Sequence, residues 1–243
     1  MTTTERTSPA FRFPGRLAEG AGLVLGPALI LAGVLLRVEF GDFFPEQLAA
    51  FAGSPVLMTA SYSAFVAGVV LLWPAVAAVT RRIGASRPGW AMWGGGLVTA
   101  GLFARVFHAG VNHLAFQLVD VEGLEAARRA VRDQYGAFHV FQPLNLAVFS
   151  GWTVLALGAW RAGVFGAGVT GTARCVALGL MSAMPLGVLK GTGPMSIVAA
   201  AGLCVALVPL GVTVLKAGPA PRWWTYPLAV ALGVGAVLLG TAG

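Results

Sequence analysis

An all-α bundle of about seven membrane-crossing helices is the fold class this sequence predicts, and three observations carry it. Of 243 residues, 57% are hydrophobic and only 10% are charged, against about 25% charged in an ordinary soluble domain. The apolar residues gather into runs near the roughly 20 residues of helix that cross a bilayer core. Lysines and arginines fall mostly in the short connections between those runs, where topology and lipid headgroups account for them. The net charge of +7 is therefore read as a membrane signature, with membrane lipids as partners and no nucleic acid. A cytoplasmic N-terminal arm at residues 1–16 and a single transmembrane domain at residues 17–243 are expected.

The spans follow in order. Leu17 to Phe40 comes after an arm bearing Arg6, Arg12 and Arg16; no small-residue cleavage site follows it, so an uncleaved first span is expected. The later runs are Val56–Thr80, Gly89–Leu118, Ala137–Trp160, Ala173–Leu189, Met195–Leu215 and Trp223–Ala242. The fifth is the shortest and meets the sixth through Lys190-Gly191-Thr192-Gly193-Pro194. Were that pair a re-entrant hairpin, the count would fall to five. Pro27, Pro74, Pro185 and Pro209 are expected to kink their helices, which neighbouring helices make tolerable.

Charge sets the orientation. With the N-terminus in the cytoplasm, Arg6, Arg12, Arg16, Arg81, Arg82, Arg87, Arg161, Arg174, Lys216 and Arg222 lie inside, and Arg37, Arg128, Arg129, Arg132 and Lys190 outside, as retention of basic loops requires. Two outer connections read as short interfacial helices. Asp42 is placed to cap the first, whose Phe44, Leu48 and Phe51 form a stripe to lie on the membrane. The second runs from Asp120, Glu122 and Glu125 to Arg128, Arg129 and Arg132, an order that complements a helix dipole and allows a Glu125–Arg129 pair. They are either surface linkers or a gate over the bundle.

Small residues spaced by four mark close helix approach: Gly179, Ala183 and Gly187 in the fifth span, and Ala229 with Gly233 and Ala236 with Gly240 in the seventh. Such faces also fit a second copy of the chain or a membrane partner. Cys175 and Cys204 sit inside apolar runs and read as buried, inert thiols.

Chemistry, if any, belongs to the polar residues inside the spans, each of which costs roughly 2.5 to 3.5 kcal/mol at the membrane centre. In the third span Arg105, His108 and Asn112 recur at spacings of three and four, within roughly 60° of one helical face. His113 lies on its flank and Gln117 a turn beyond. The fourth span answers with Tyr135, His139 and Gln142 at the same kind of spacing, followed by Pro143 and Asn145. The first span adds Arg37 and Glu39 at its outer end, and the second adds Ser61, Tyr62 and Ser63. Two readings of this convergence stand together: a hydrogen-bonded lock with Arg105 on a carbonyl or Glu39, and a ligand site.

As a site, Glu39, His108 and His139 would donate or accept protons. Arg105 and Asn112 would fix a polar group or developing charge. Tyr62, His113, Tyr135 and Gln142 would complete the binding wall. His108, His113 and His139 with Glu39 would suffice chemically for a metal, but the five-residue step from His108 to His113 does not aim two imidazoles at one ion on a regular helix, and no cofactor is predicted. No lysine in the seventh span supports a retinal Schiff base, and no phosphate loop, nucleophile elbow or DDxxD motif is present.

The stretch Phe44-Pro45-Glu46-Gln47-Leu48-Ala49-Ala50, the Ser54-Pro55 break and Val69-Val70-Leu71-Leu72-Trp73-Pro74-Ala75-Val76 resemble uncharacterised multi-pass membrane proteins common in actinobacteria. That likeness covers the first third of the chain and implies no activity. In size and span count the chain is also similar to the small integral-membrane terpene cyclases. Their catalytic acids lie in membrane helices where this sequence has no matching acid, unless Glu39 serves. The expectation is an intramembrane enzyme acting on a lipophilic small molecule, in its most concrete form an isoprenoid-type cyclisation or isomerisation (a lyase or isomerase). Beside it stand a non-enzymatic transport, binding or self-resistance protein and a structural subunit of a membrane complex.

Overall fold

The computed structural model describes residues 13–134, 137, 139, 141–185, 187–220 and 223–242. The described residues are helical with no strand, in the order α1 (Arg16–Leu36), α2 (Phe44–Gly53), α3 (Pro55–Gly84), α4 (Pro88–Glu122), α5 (Leu124–Gln134), α6 (Asn145–Arg161), α7 (Gly168–Gly179), α8 (Pro194–Lys216) and α9 (Thr225–Ala242). Proline stands in the first turn of α2, α3, α4 and α8, where its missing N–H leaves no helical bond unmade. The helix bundle is membrane-like in composition. Four segments, Arg16–Leu36, Pro55–Gly84, Gln142–Arg161 and Pro194–Lys216, are long and apolar enough to cross a bilayer. At 35 residues α4 has ample length, but Arg105, His108, Asn112 and His113 interrupt its apolar character.

α1 lies between α3 and α8, and α4 joins α3 to α6; α7 packs on α6 and α8. One end of the bundle gathers the start of α1, the end of α3 and the end of α8. There Arg16 donates to the carbonyls of Leu215 and Pro219, Arg81 pairs with buried Glu19, and Arg161 stacks on Trp90. We call this the basic end. The opposite, capped end carries α2 and α5. Its apolar side chains form a second cluster of Phe44, Leu48, Phe51, Met58, Phe116, Val119 and Leu189, separate from the main core around Leu23, Ile30, Leu72, Leu155 and Leu203.

Several sequence expectations are corrected here. The stripe of α2 faces inward onto α3, α4 and Leu189 rather than a membrane surface. Asp42 does not cap α2 through its side chain; its carbonyl instead accepts from the Gly191 N–H. In α5 the ion pair is Glu125 with Arg128, at 2.8 Å and three residues apart, in place of Arg129. The fourth span begins as helix only at Asn145, after a 3-10 turn at Gln142–Leu144; Pro143 sits in that turn, which brings the chain in from an irregular approach.

The largest departure is the fifth run. Its helix ends at Gly179 with a 3-10 turn over Leu180–Ala183, and Pro185, which has no N–H to continue the ladder, follows two residues later. Residues 187–193 are irregular, with Gly187 at φ 132° and Leu189 at φ 51°. Pro185 thus ends a helix, whereas Pro27, Pro74 and Pro209 lie inside theirs.

Close helix approach also sits elsewhere than expected. A Cβ at Gly22 would stand 2.5 Å from the Leu71 carbonyl oxygen, and one at Gly33 would stand 2.6 Å from that of Ser61, so α1 and α3 touch backbone to backbone. In α9, Gly233 and Gly240 have nothing within 4 Å.

Candidate functional site

The broken fifth segment leaves backbone groups inside the bundle that a helix would have satisfied, and polar side chains of α3 and α4 reach them. Arg105 donates to the carbonyls of Met184 and Pro185, both at 3.3 Å. Asn112 Oδ1 accepts the Leu189 N–H at 2.6 Å. Thr192 Oγ1 donates to the Val34 carbonyl at 2.7 Å. Tyr62 Oη donates to Gln47 Oε1 at 2.8 Å, with the Lys190 carbonyl beside it at 3.3 Å. The lock foreseen around Arg105 exists in this form, on carbonyls and not on Glu39.

A cavity remains among these groups. Arg37 from the end of α1, Tyr62 and Phe65 from α3, Arg105, His108 and Asn112 from α4, and Met184, Pro185, Lys190 and Gly191 from the broken segment surround about 40 Å³, room for two or three waters or one small polar head. Val34 and Ser196 close it from α1 and α8. Four of its polar side chains are nearly sealed from outside: Arg37 is 4% exposed, His108 5%, Arg105 7% and Asn112 8%. Among the described residues, every buried polar or charged side chain except Glu19 belongs to this half of the bundle.

Arg37 lies over the rings of Tyr62 and Phe65, 4.6 Å and 5.2 Å from their centres, and donates to Ser61 Oγ at 3.2 Å and the Gly33 carbonyl at 3.4 Å. Cation–π contact and long hydrogen bonds hold the guanidinium without neutralising it. The Nε atoms of Arg37 and Arg105 and Nδ1 of His108 are buried with no partner.

Beyond the cavity wall an open groove of about 540 Å³ runs between α3 and α4 toward α2, lined by Phe51, Thr59, Ser63, Val106, Gly110, His113, Phe116, Gln117 and Asp120. Tyr62, Val66 and Ala109 line both spaces. Groove and cavity are therefore neighbours through one thin partition.

The predicted residues divide accordingly. Tyr62, Arg105, His108 and Asn112 meet in the cavity, and His113 faces the groove. His139 stands beside the site: its ring is 5.6 Å from that of His108, edge to face, and it stacks on Phe107 at 5.2 Å. Gln142 is exposed in its 3-10 turn. Glu39 is exposed and absent from the cavity lining; of the Arg37 and Glu39 pair it is the arginine that turns inward. Tyr135 lies outside the described residues. Among the described residues no three His, Cys, Asp or Glu side chains come together to hold a metal ion. His108 and His139 meet, while His113 faces away into the groove.

Lys190, Met184, Pro185, Gly187 and Ser196 were missed as site residues. The signal for them was present in Pro185, Gly187, Gly191, Gly193 and Pro194, a Gly/Pro interruption of an apolar run, which in membrane proteins marks backbone opened toward a binding site.

No protein family, curated protein or solved structure matches this chain. The functional reading rests on the site itself.

Proposed function

We propose that this chain is a multi-pass protein of the cell membrane that takes up a lipophilic small molecule in the capped half of its bundle. The apolar body lies in the groove between α3 and α4, and the polar end crosses into the cavity. The observation that carries this is the partition of Tyr62, Val66 and Ala109, which belongs to both spaces. Pockets for such ligands combine apolar walls with a few convergent polar groups, as here. In this reading the four long apolar segments, α4, α7 with its irregular extension, and α9 make seven crossings. The N-terminus is cytoplasmic and α2 and α5 face outward, as the basic residues of the opposite end favour.

One observation favours a chemical step as a second reading: His108 lines the cavity with a free Nδ1, and His139 backs it. A histidine so placed can take a proton from a carbon made acidic by a neighbouring carbonyl, whose oxygen takes up the electron pair beside Arg105, and return it to another carbon of the same enolate, an isomerisation. Cyclisation begun by protonation calls for a stronger acid, and no carboxyl group lines the cavity.

Mass spectrometry of lipid extracts from cells with and without the protein tests both readings. Binding predicts a lipophilic species carried by the purified protein and an unchanged set of cellular species. Isomerisation predicts a new or missing species, restored to the control pattern by His108→Ala. A protein that carries no lipophile from cells with an unchanged profile would contradict both.

A further inference from the structure

Taking the lipophile-binding reading as its basis, the chemistry of the ligand's polar end follows from the charge of the cavity. Two guanidinium groups on separate helices line it, each more than nine-tenths buried. Neither has a carboxylate partner: the ion pairs among the described residues are Arg81 with Glu19 and Arg128 with Glu125, both elsewhere. The Asp42 carboxylate lies near Gly193 and does not line the cavity.

Carbonyl and hydroxyl oxygens at 3.2 to 3.4 Å occupy some of the N–H groups of Arg37 and Arg105, but dipoles do not cancel two full charges in a low-dielectric interior. Both Nε–H groups are left without an acceptor. A guanidinium stays charged and presents its donors in a planar fork that matches a carboxylate or phosphate.

The surroundings add positive potential. Lys190 lies on the lining, its Nζ held 4.3 Å over the Phe43 ring, and Ser196 in the first turn of α8 brings the positive end of a 23-residue helix to the wall. A space of about 40 Å³ admits a compact head and no tail.

We propose that Arg37 and Arg105 hold an oxyanion in this cavity, the carboxylate or phosphate head of an amphiphile whose chain lies in the groove between α3 and α4.

The full chain purified in dodecyl maltoside is titrated with dodecyl phosphate, dodecanoate, dodecanol and inorganic phosphate, with heat release and thermal shift as readouts. The expected result is that one or both anionic amphiphiles bind about tenfold or more tighter than dodecanol. Arg37→Gln and Arg105→Gln should each remove that preference, Arg105→Lys restore part of it, and Arg87→Gln, an equal loss of charge on an exposed residue, leave it intact. Should the glutamine variants fail to fold, Gly110→Leu, at a position that lines the groove and not the cavity, fills the groove: it should weaken dodecyl phosphate by about tenfold and leave inorganic phosphate unchanged.

Equal binding of dodecanol and both anions overturns the oxyanion head while the groove survives, as does a loss of preference in Arg87→Gln matching that in Arg105→Gln. Inorganic phosphate as tight as dodecyl phosphate, with both unaffected by Gly110→Leu, supports the anion site with a free ion as its source and overturns the groove. No binding by any probe overturns both.

Discussion

At the basic end of the bundle α1, α3 and α8 are continuous helices that meet through glycine and aliphatic side chains, and the buried polar side chain there is Glu19, answered directly by Arg81. At the capped end α3 and α4 meet a chain that stops being helical at Ala183, and buried polar side chains crowd around it. The difference shows how a pocket is made inside a helix bundle. A helix satisfies its own backbone and needs nothing from its neighbours, so helices can close on one another. A broken helix needs donors and acceptors from outside. Arg105 and Asn112 of α4 supply them, and Arg105 arrives with a donor that the backbone does not use, its Nε–H. Beside the broken helix, cavity and unused polarity occur together.

Substitutions at the two ends should therefore fail differently. The largest effect belongs to close backbone packing at the basic end. Gly22→Ala places a methyl 2.5 Å from a carbonyl oxygen of α3 and should cost about 3 kcal/mol, read as a lowered unfolding midpoint in detergent. Gly96→Ala in α4, where nothing lies within 4 Å, should be neutral or gain up to about 1 kcal/mol; equal behaviour of the two would break the comparison.

Next is Asn112→Leu, which orphans the buried Leu189 N–H at about 2 kcal/mol. It should also speed hydrogen exchange across residues 187–193 while leaving α1 and α8 protected, since the damage is confined to the broken segment. Glu19→Gln should cost about 1 kcal/mol, because Arg81 keeps a hydrogen-bond acceptor and is itself partly exposed. The smallest effect is expected from Ser182→Ala. It removes the 2.8 Å contact with Thr153 Oγ1 and the 3.1 Å bond that Ser182 Oγ accepts from the Thr153 N–H, together about 0.6 kcal/mol, the average for polar contacts between membrane helices.

The sequence made the class and the polar face of α4 legible, because composition and a three-and-four spacing are local properties. Arg105, His108 and Asn112 were found together for that reason. What stayed hidden depends on where the chain breaks. Ala137, His139 and Phe141, and residues 184, 185 and 187–189, fall in runs that read as span, yet none of them is helical, with Pro143 and Pro185 close by. His139 consequently stands beside His108 from an irregular approach, not from the register of a helix face. In the sequence Arg37 and Glu39 stand together at the outer end of the first span, and only the structure separates them, Arg37 lining the cavity and Glu39 exposed. α1 ends at Leu36, so the directions of these two side chains depend on the turn that follows the helix and not on its spacing. The small-residue faces of α9 meet no other helix of the chain at Gly233 and Gly240, because spacing shows that a close approach is permitted and does not name the partner.

The central claim is one of position: a lipophile binds between α3 and α4 at the capped end. Photolabelling with a long-chain alcohol bearing a diazirine, followed by peptide mapping, tests it whatever the charge of the natural ligand's head. The account predicts saturable labelling at residues 59–66 and 106–117, weakened by Ala109→Leu. Labelling spread evenly over the exposed faces of the bundle, α9 included, and indifferent to that substitution would contradict it.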